Sequence, residues 1–455
     1  MTASYQRRSI SRMPSEDFPP GPPSNGWAGS YSAYSRDPLA FLPEAVRTYG
    51  DVIGLRFLKF RIYFVNHPAV IEDVLVNQAR KFGKGRVLKA NKRLFGQGLL
   101  TSEGDFWLRQ RRLAQPAFHR TRIASYAVAM VDYAARLTDS WKDGEQRDIH
   151  AEMMRLTLQI VGKTLFDVEV NQEVQQVGHA LEALMELNSD FRRLMLVPAW
   201  LPTPTNVKAE LAIRRLDKII YRIIAERRAT GSDKGDFLSM LLNAQDDDGS
   251  RMDDHQLRDE ALTLFLAGHE TTAVALSWTW WLLAQHPEVE AKLHDEINSV
   301  LAGRLPTLED LPSLRYTERV VTESMRLYPP AWGMARMALE DTEVGGYRLR
   351  KGSGVTVAQW VVHRDPRWYD SPDEFRPERW EGDLAKRLPR FAYFPFGGGP
   401  RQCIGNSFAM METILVLATI AQLFRFRIVP EHPVVPIASI TLRPRYGIKV
   451  LLQKR

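Results

Sequence analysis

Apolar residues recur at three- and four-residue spacing through most of the chain, and that period predicts a mainly α-helical protein. Helices are expected in PAVIEDVLVNQARKF from Pro68, WLRQRRLAQ from Trp107, RIASYAVAMVDYAARLTDSW from Arg122 and MMRLTLQIVGKTLF from Met153. Further helices are expected in PEVEAKLHDEINSVL from Pro287, YTERVVTESMRLY from Tyr316 and NSFAMMETILVLATIAQLF from Asn406. Ala261 to Ala284 is apolar on every side and long enough to cross a bilayer, but His269, Glu270, Thr271 and Thr272 stand near its middle. Polar groups are costliest there in lipid, so this run reads as a helix buried through a core. A minor β portion is expected in a hairpin of Val52–Phe57 and Arg61–Val65, in short strands between Tyr347 and Ala358, and near Leu452. Three prolines in VPAWLPTPTN, Val197 to Asn206, require a turn between two helices. Two stretches lack a clear period: residues 80 to 100, read as a long functional loop, and the Pro/Arg/Trp-rich segment from His363 to Arg390.

Composition changes this picture little. Residues 1–35 are rich in Pro, Ser and Gly and read as a loosely ordered arm, and residues 36–455 read as one large domain. The formal charge of +7 is too evenly spread to indicate nucleic acid. The start has no apolar run suited to a signal peptide or membrane anchor, so a cytoplasmic protein without an integral anchor is expected. A single cysteine in 455 residues excludes a disulfide framework and any multi-cysteine metal site built from this chain alone.

That cysteine, Cys403, lies in FPFGGGPRQCIG, Phe394 to Gly405. Gly397, Gly398, Gly399 and Pro400 predict a tight loop whose backbone can approach a ligand closely. Arg401 and the start of the following helix would favour a thiolate. Three further constellations precede it. Trp107 and Arg111 share a helix face, and an indole with a guanidinium can hold a carboxylate, or be a plain surface pair. AGHETT, Ala267 to Thr272, places Gly268 beside Glu270 and Thr271 in a dry helix, suited either to proton handling or to local structure. Glu323 and Arg326, three apart, with Arg379 of FRPERW, form either a surface pair or a buried network that fixes the irregular segment before the cysteine loop.

The pattern Phe396-x-x-Gly399-x-Arg401-x-Cys403-x-Gly405 resembles the haem-binding signature of the cytochrome P450 monooxygenases, and the other three constellations resemble that family's remaining motifs in order. The resemblance covers roughly residues 40 to 455. It implies the P450 fold, with haem b held between the long central helix and the helix after the cysteine loop. It implies Cys403 as proximal thiolate, Trp107, Arg111, Arg336 and Arg401 at the propionates, and Phe396 near the sulfur. Ala267, Gly268 and Gly405 would also border the cofactor. Glu270 and Thr271 match the acid–alcohol pair that delivers protons during dioxygen activation. Glu323, Arg326 and Arg379 match the structural ion network. Trp380 departs from the family's more frequent phenylalanine, which is expected to affect packing only.

By the same resemblance the substrate pocket is lined by residues 80–100, 191–200, 262–271, 331–337 and 437–441. These are largely apolar, so the substrate is expected to be lipophilic: a fatty acid, terpenoid, carotenoid or steroid-like compound. The basic cluster Lys84, Arg86, Lys89, Lys92 and Arg93 reads either as a carboxylate anchor or as a solvated face. Electrons are expected from a ferredoxin or flavodoxin with its reductase, drawn to Arg109, Arg112, Arg120 and Arg122. Two rival readings are a peroxide-driven oxygenase and a non-catalytic haem-thiolate sensor.

Overall fold

A computed structural model describes residues 18–23, 28–168, 197, 201–231, 234–246, 249–382 and 384–455. The chain forms two compact units, each assembled from separated segments.

The first unit takes Met1–Arg86, Gly333–Val362 and Pro389–Gln402. Its centre is a five-stranded sheet in the order Val52–Phe57, Phe60–Val65, Gly354–Val357, Met334–Ala338, Phe82–Lys84. The first two strands are the expected hairpin, in register from Val52 opposite Val65 to Phe57 opposite Phe60. Phe60–Val65 and Gly354–Val357 run parallel, and the other neighbours antiparallel. Tyr63, Val65, Phe82, Val355 and Val357 pack with Phe391 and Phe394 in one buried cluster. The expected arm ends sooner than residue 35, because Tyr31–Arg36 is helical and Tyr31 is buried edge-on against Phe57. The helix expected from Pro68 is divided into a five-residue α-turn, a π-turn over Asp73–Asn77 and a 3-10 turn.

The second unit takes Val87–Trp332, His363–Leu388 and Cys403–Arg455 and holds the long helices. Its axis is the helix Asp254–Gln285, whose first turn is closed by the Asp253 carboxylate accepting from the Gln256 N–H at 2.7 Å. Ile149–Phe166 packs along it, and Arg315–Leu327 and Asn406–Leu423 also rest on it. Asn406–Leu423 is apolar and long enough by composition to cross a membrane, yet two thirds of it is buried inside the protein. Of the proline-rich turn, residues 198–200 lie outside the described residues. Its end is the start of the helix Pro204–Thr230, with Thr203 as cap and proline in the first turn.

The ion network joins the irregular segment to the helix Arg315–Leu327. Glu323 and Arg326 have zero exposure and form a two-bond pair at 2.8 and 2.9 Å. Arg326 also donates to the carbonyls of His363, Pro372 and Glu374, and Arg379 donates to Glu323 at 3.0 Å and to the Asp370 carbonyl at 2.6 Å. Burial decides between the two readings open in the sequence: this is a desolvated network, not a surface pair. Trp380 corrects an expectation, because its indole N–H donates to Glu323 at 2.8 Å. Trp380→Phe is therefore expected to lower stability by about 1 kcal/mol, the usual value of one net hydrogen bond, measurable by urea denaturation.

Candidate active site

Cys403 is exposed, against the usual tendency of a free cysteine to be buried. Its surroundings are nonetheless crowded, and desolvation pushes the thiol upward, against the Gly405 backbone N–H and the positive Arg111, which pull it down. The nearby cation acting on the sulfur is Arg111. Arg111 and Trp107 come from the helix Gly104–Ala114, with the guanidinium 5.9 Å from the indole centroid and Trp107 buried. Burial lowers Arg111 and the Cys403 charge raises it.

Two of the glycines before the cysteine are required by the chain's own packing. A side chain at Gly398 would strike the Phe391 ring, and one at Gly399, where φ is +70°, would strike the Leu75 carbonyl. Phe396, Arg401 and Arg336 are all partly exposed in the first unit, Arg336 within the strand Met334–Ala338.

From Leu257 to Trp280 the central helix is buried at every position except Ala267, Gly268 and Thr271. These three share one face, with positions i, i+1 and i+4. Gly268 is also a packing residue, because a Cβ there would lie 3.1 Å from Val161 on the neighbouring helix.

The acid and the alcohol are neighbours in sequence but have separate partners. Thr271 donates its hydroxyl hydrogen to the Ala267 carbonyl at 2.6 Å. Glu270, almost fully buried, accepts from Thr441 at 2.5 Å and pairs with Arg443 at 2.6 Å. The Arg443 N–H is not aligned for a hydrogen bond at that distance, so the contact is an ion pair. Burial pushes His150 and His269 down to about 4, with Arg443 contributing in the same direction, so both are neutral near pH 7.

Thr441 closes the expected lining stretch 437–441, whereas Arg443 has no local mark in the sequence, since its partner is on a distant helix. They belong to the hairpin Pro436–Ala438 with Leu442–Pro444, which is fixed to the central helix through Trp278 Nε1 and the Leu442 carbonyl at 2.7 Å. Trp332 Nε1 donates to the Ser439 carbonyl at 2.7 Å. The loop before Ser102 is held on the same helix: the Gln97 and Leu99 N–H groups donate to Asp259 and Glu260. Part of the expected irregular loop is helical, over Arg86–Ala90 and Lys92–Phe95. Of the other expected lining residues, 191–196 and 198–200 lie outside the described residues.

Three members of the basic cluster have partners of their own. Lys84 is buried in a strand, Arg86 stacks on Phe60 at 4.2 Å and donates to the Gly352 carbonyl, and Arg93 pairs with Glu210 at 2.5 Å. Among the basic residues assigned to partner docking, Arg109 pairs with Asp246 at 2.6 Å and Arg112 is exposed. The side chains of residues 120–123 lie outside the described set.

An accessible thiol beside a guanidinium, with an accessible small-residue face on an otherwise buried helix, is a donor set suited to a haem-thiolate oxygenase. The chain belongs to the cytochrome P450 family, whose description, "Cytochrome P450", matches residues 19–452. It is 40% identical to cyclooctatin synthase of Streptomyces melanosporofaciens, over 91% of each chain. It is 39% identical to cyclooctat-9-en-7-ol 5-monooxygenase of the same organism, over 88% of each. Pentalenene oxygenase of Streptomyces avermitilis is 36% identical, over 92% of this chain and 94% of that one. The protein is accordingly an oxidoreductase, a P450 monooxygenase with a haem-thiolate cofactor.

Proposed function

We propose that this monooxygenase hydroxylates or epoxidises a lipophilic terpenoid. The substrate class is supported by the names of its relatives, an oxygenase of pentalenene and one of cyclooctat-9-en-7-ol. The existing partners of Arg86 and Arg93 support a substrate without a carboxylate. The observation that carries the catalytic reading is the accessible face of Ala267, Gly268 and Thr271 beside the buried Glu270.

In this reading Cys403, the chain's one cysteine, would hold haem b through its thiolate, and Arg111 would offset its negative charge. Trp107 and Arg111 would hold a propionate. Arg336, Phe396, Arg401 and Gly405 are assigned by the motif alone. The bound haem supplies dioxygen activation and transfer of one oxygen atom to carbon. Ala267 and Gly268 leave room for a flat group and for substrate. Thr271 keeps a hydroxyl on that face, and its bond to the Ala267 carbonyl leaves its oxygen able to accept and pass on a proton. Glu270 is the carboxylate behind it, and would have to loosen from Arg443 and Thr441 to take up a proton and pass it to the Thr271 side.

Electrons would come from a ferredoxin or flavodoxin with its reductase in the cytoplasm. The exposed Arg112 supports an acidic partner, and salt-independent reduction would count against electrostatic docking.

Two measurements test the reading. Titration with pentalenene, cyclooctat-9-en-7-ol, a fatty acid and its methyl ester is expected to give a low-to-high-spin shift with a terpenoid; a shift confined to the fatty acid would overturn the substrate class. Thr271→Ala is expected to keep consuming oxygen while product per oxygen falls about tenfold or more, with peroxide released. Unchanged coupling would remove Thr271 from proton delivery and favour the peroxide-driven alternative. Absence of turnover in the unmodified protein with every partner would favour the sensor.

A further inference from the structure

The helix Asn406–Leu423 begins directly after Gly405 and carries one carboxyl in an otherwise apolar run, Glu412. Glu412 has zero exposure. No hydrogen bond or ion pair reaches either of its oxygens among the described residues. On the central helix, next to Thr271, Thr272 is 2% exposed, and its hydroxyl is equally without an aligned partner. Among the described residues the Thr272 hydroxyl acts on the Glu412 carboxyl and no cation does, and the two helices that carry them pack together. Neither group's oxygens are placed for a hydrogen bond in this arrangement, so a change of side-chain torsion at Thr272 or Glu412 is what makes one.

A dry site without a cation cannot hold a carboxylate as cheaply as a neutral acid, and an acid left without a partner is also costly. We propose that Glu412 is a neutral carboxylic acid hydrogen-bonded to Thr272, and that this pair positions the turn of the central helix that carries Thr271. Burial pushes the carboxyl well above the usual carboxylate range, as this arrangement requires. The pair ties the helix after the cysteine to the helix of the acid–alcohol pair by a directional contact, where an apolar pair would leave the helix free to rotate. Glu412 is thus a positioning residue, since it acts on Thr271 through Thr272. The role rests on the proposed function of Thr271, whereas the protonation state does not.

The test is infrared spectroscopy of the resting holoprotein labelled with ¹³C-carboxyl glutamate, near neutral pH and without substrate. The difference between the unmodified protein and Glu412→Gln is expected to show loss of a protonated-carboxyl C=O band; loss of carboxylate bands alone would overturn the neutral acid. Thr272→Val is expected to move that band to higher frequency, and an unmoved band would overturn the pairing. For positioning, Glu412→Gln, which keeps a donor and an acceptor, is expected to hold product per oxygen within about twofold, and Glu412→Leu to lower it about fivefold. Full coupling in Glu412→Leu would refute positioning. If Glu412→Leu fails to fold, Thr272→Val takes its place in the same measurement and is expected to show the same loss. A failed substrate assignment would leave the infrared result unchanged, so the two proposals fail separately.

Discussion

Cys403→Ser is expected to abolish the thiolate signature, the strongly red-shifted Soret band of the reduced carbon-monoxide adduct, and with it turnover. A serine hydroxyl deprotonates far less readily than a thiol and is a harder, weaker donor to iron. The folding cost should stay small, within about 1 kcal/mol, because the side chain is exposed and close in size. Circular dichroism and melting would show a folded protein without the signature. Retention of the red-shifted band would overturn Cys403 as ligand.

Arg326→Met is expected to be the most destabilising of the substitutions considered, by about 3–5 kcal/mol, because it leaves Glu323 charged and buried beside a single remaining guanidinium. It also strips donors from three carbonyls in residues 363–374. Urea denaturation should show a lowered midpoint, and haem retention should fall as the segment before the cysteine loop loosens. A change below about 1 kcal/mol would make the network dispensable.

Much of this was legible in the sequence where the signal is local. The central helix, the hairpin at Val52–Val65 and the helix after Cys403 have apolar periods that determine their type whatever surrounds them. The cysteine loop, AGHETT and Glu323 with Arg326 were visible because short runs of unusual residues carry them. The π-turn at Asp73–Asn77 and the short helices in residues 86–95 were not, since such short elements are set by tertiary contacts rather than by propensity. Glu412 did carry a signal, one acid in an apolar run. Arg443 carried none, because a charge near the chain end reveals its partner only when the hairpin folds onto the central helix.

The sequence by itself determined the class of chemistry: one cysteine in a glycine loop, with an acid and an alcohol on a core helix. It also determined that helices predominate, because hydrophobic period is a property of the chain. Only the tertiary structure decided the state of those groups. Contacts depend on all neighbours at once, so the fold placed the Arg111 charge at Cys403, gave Glu270 the partners Arg443 and Thr441, and turned Trp380 from filler into a hydrogen-bond donor.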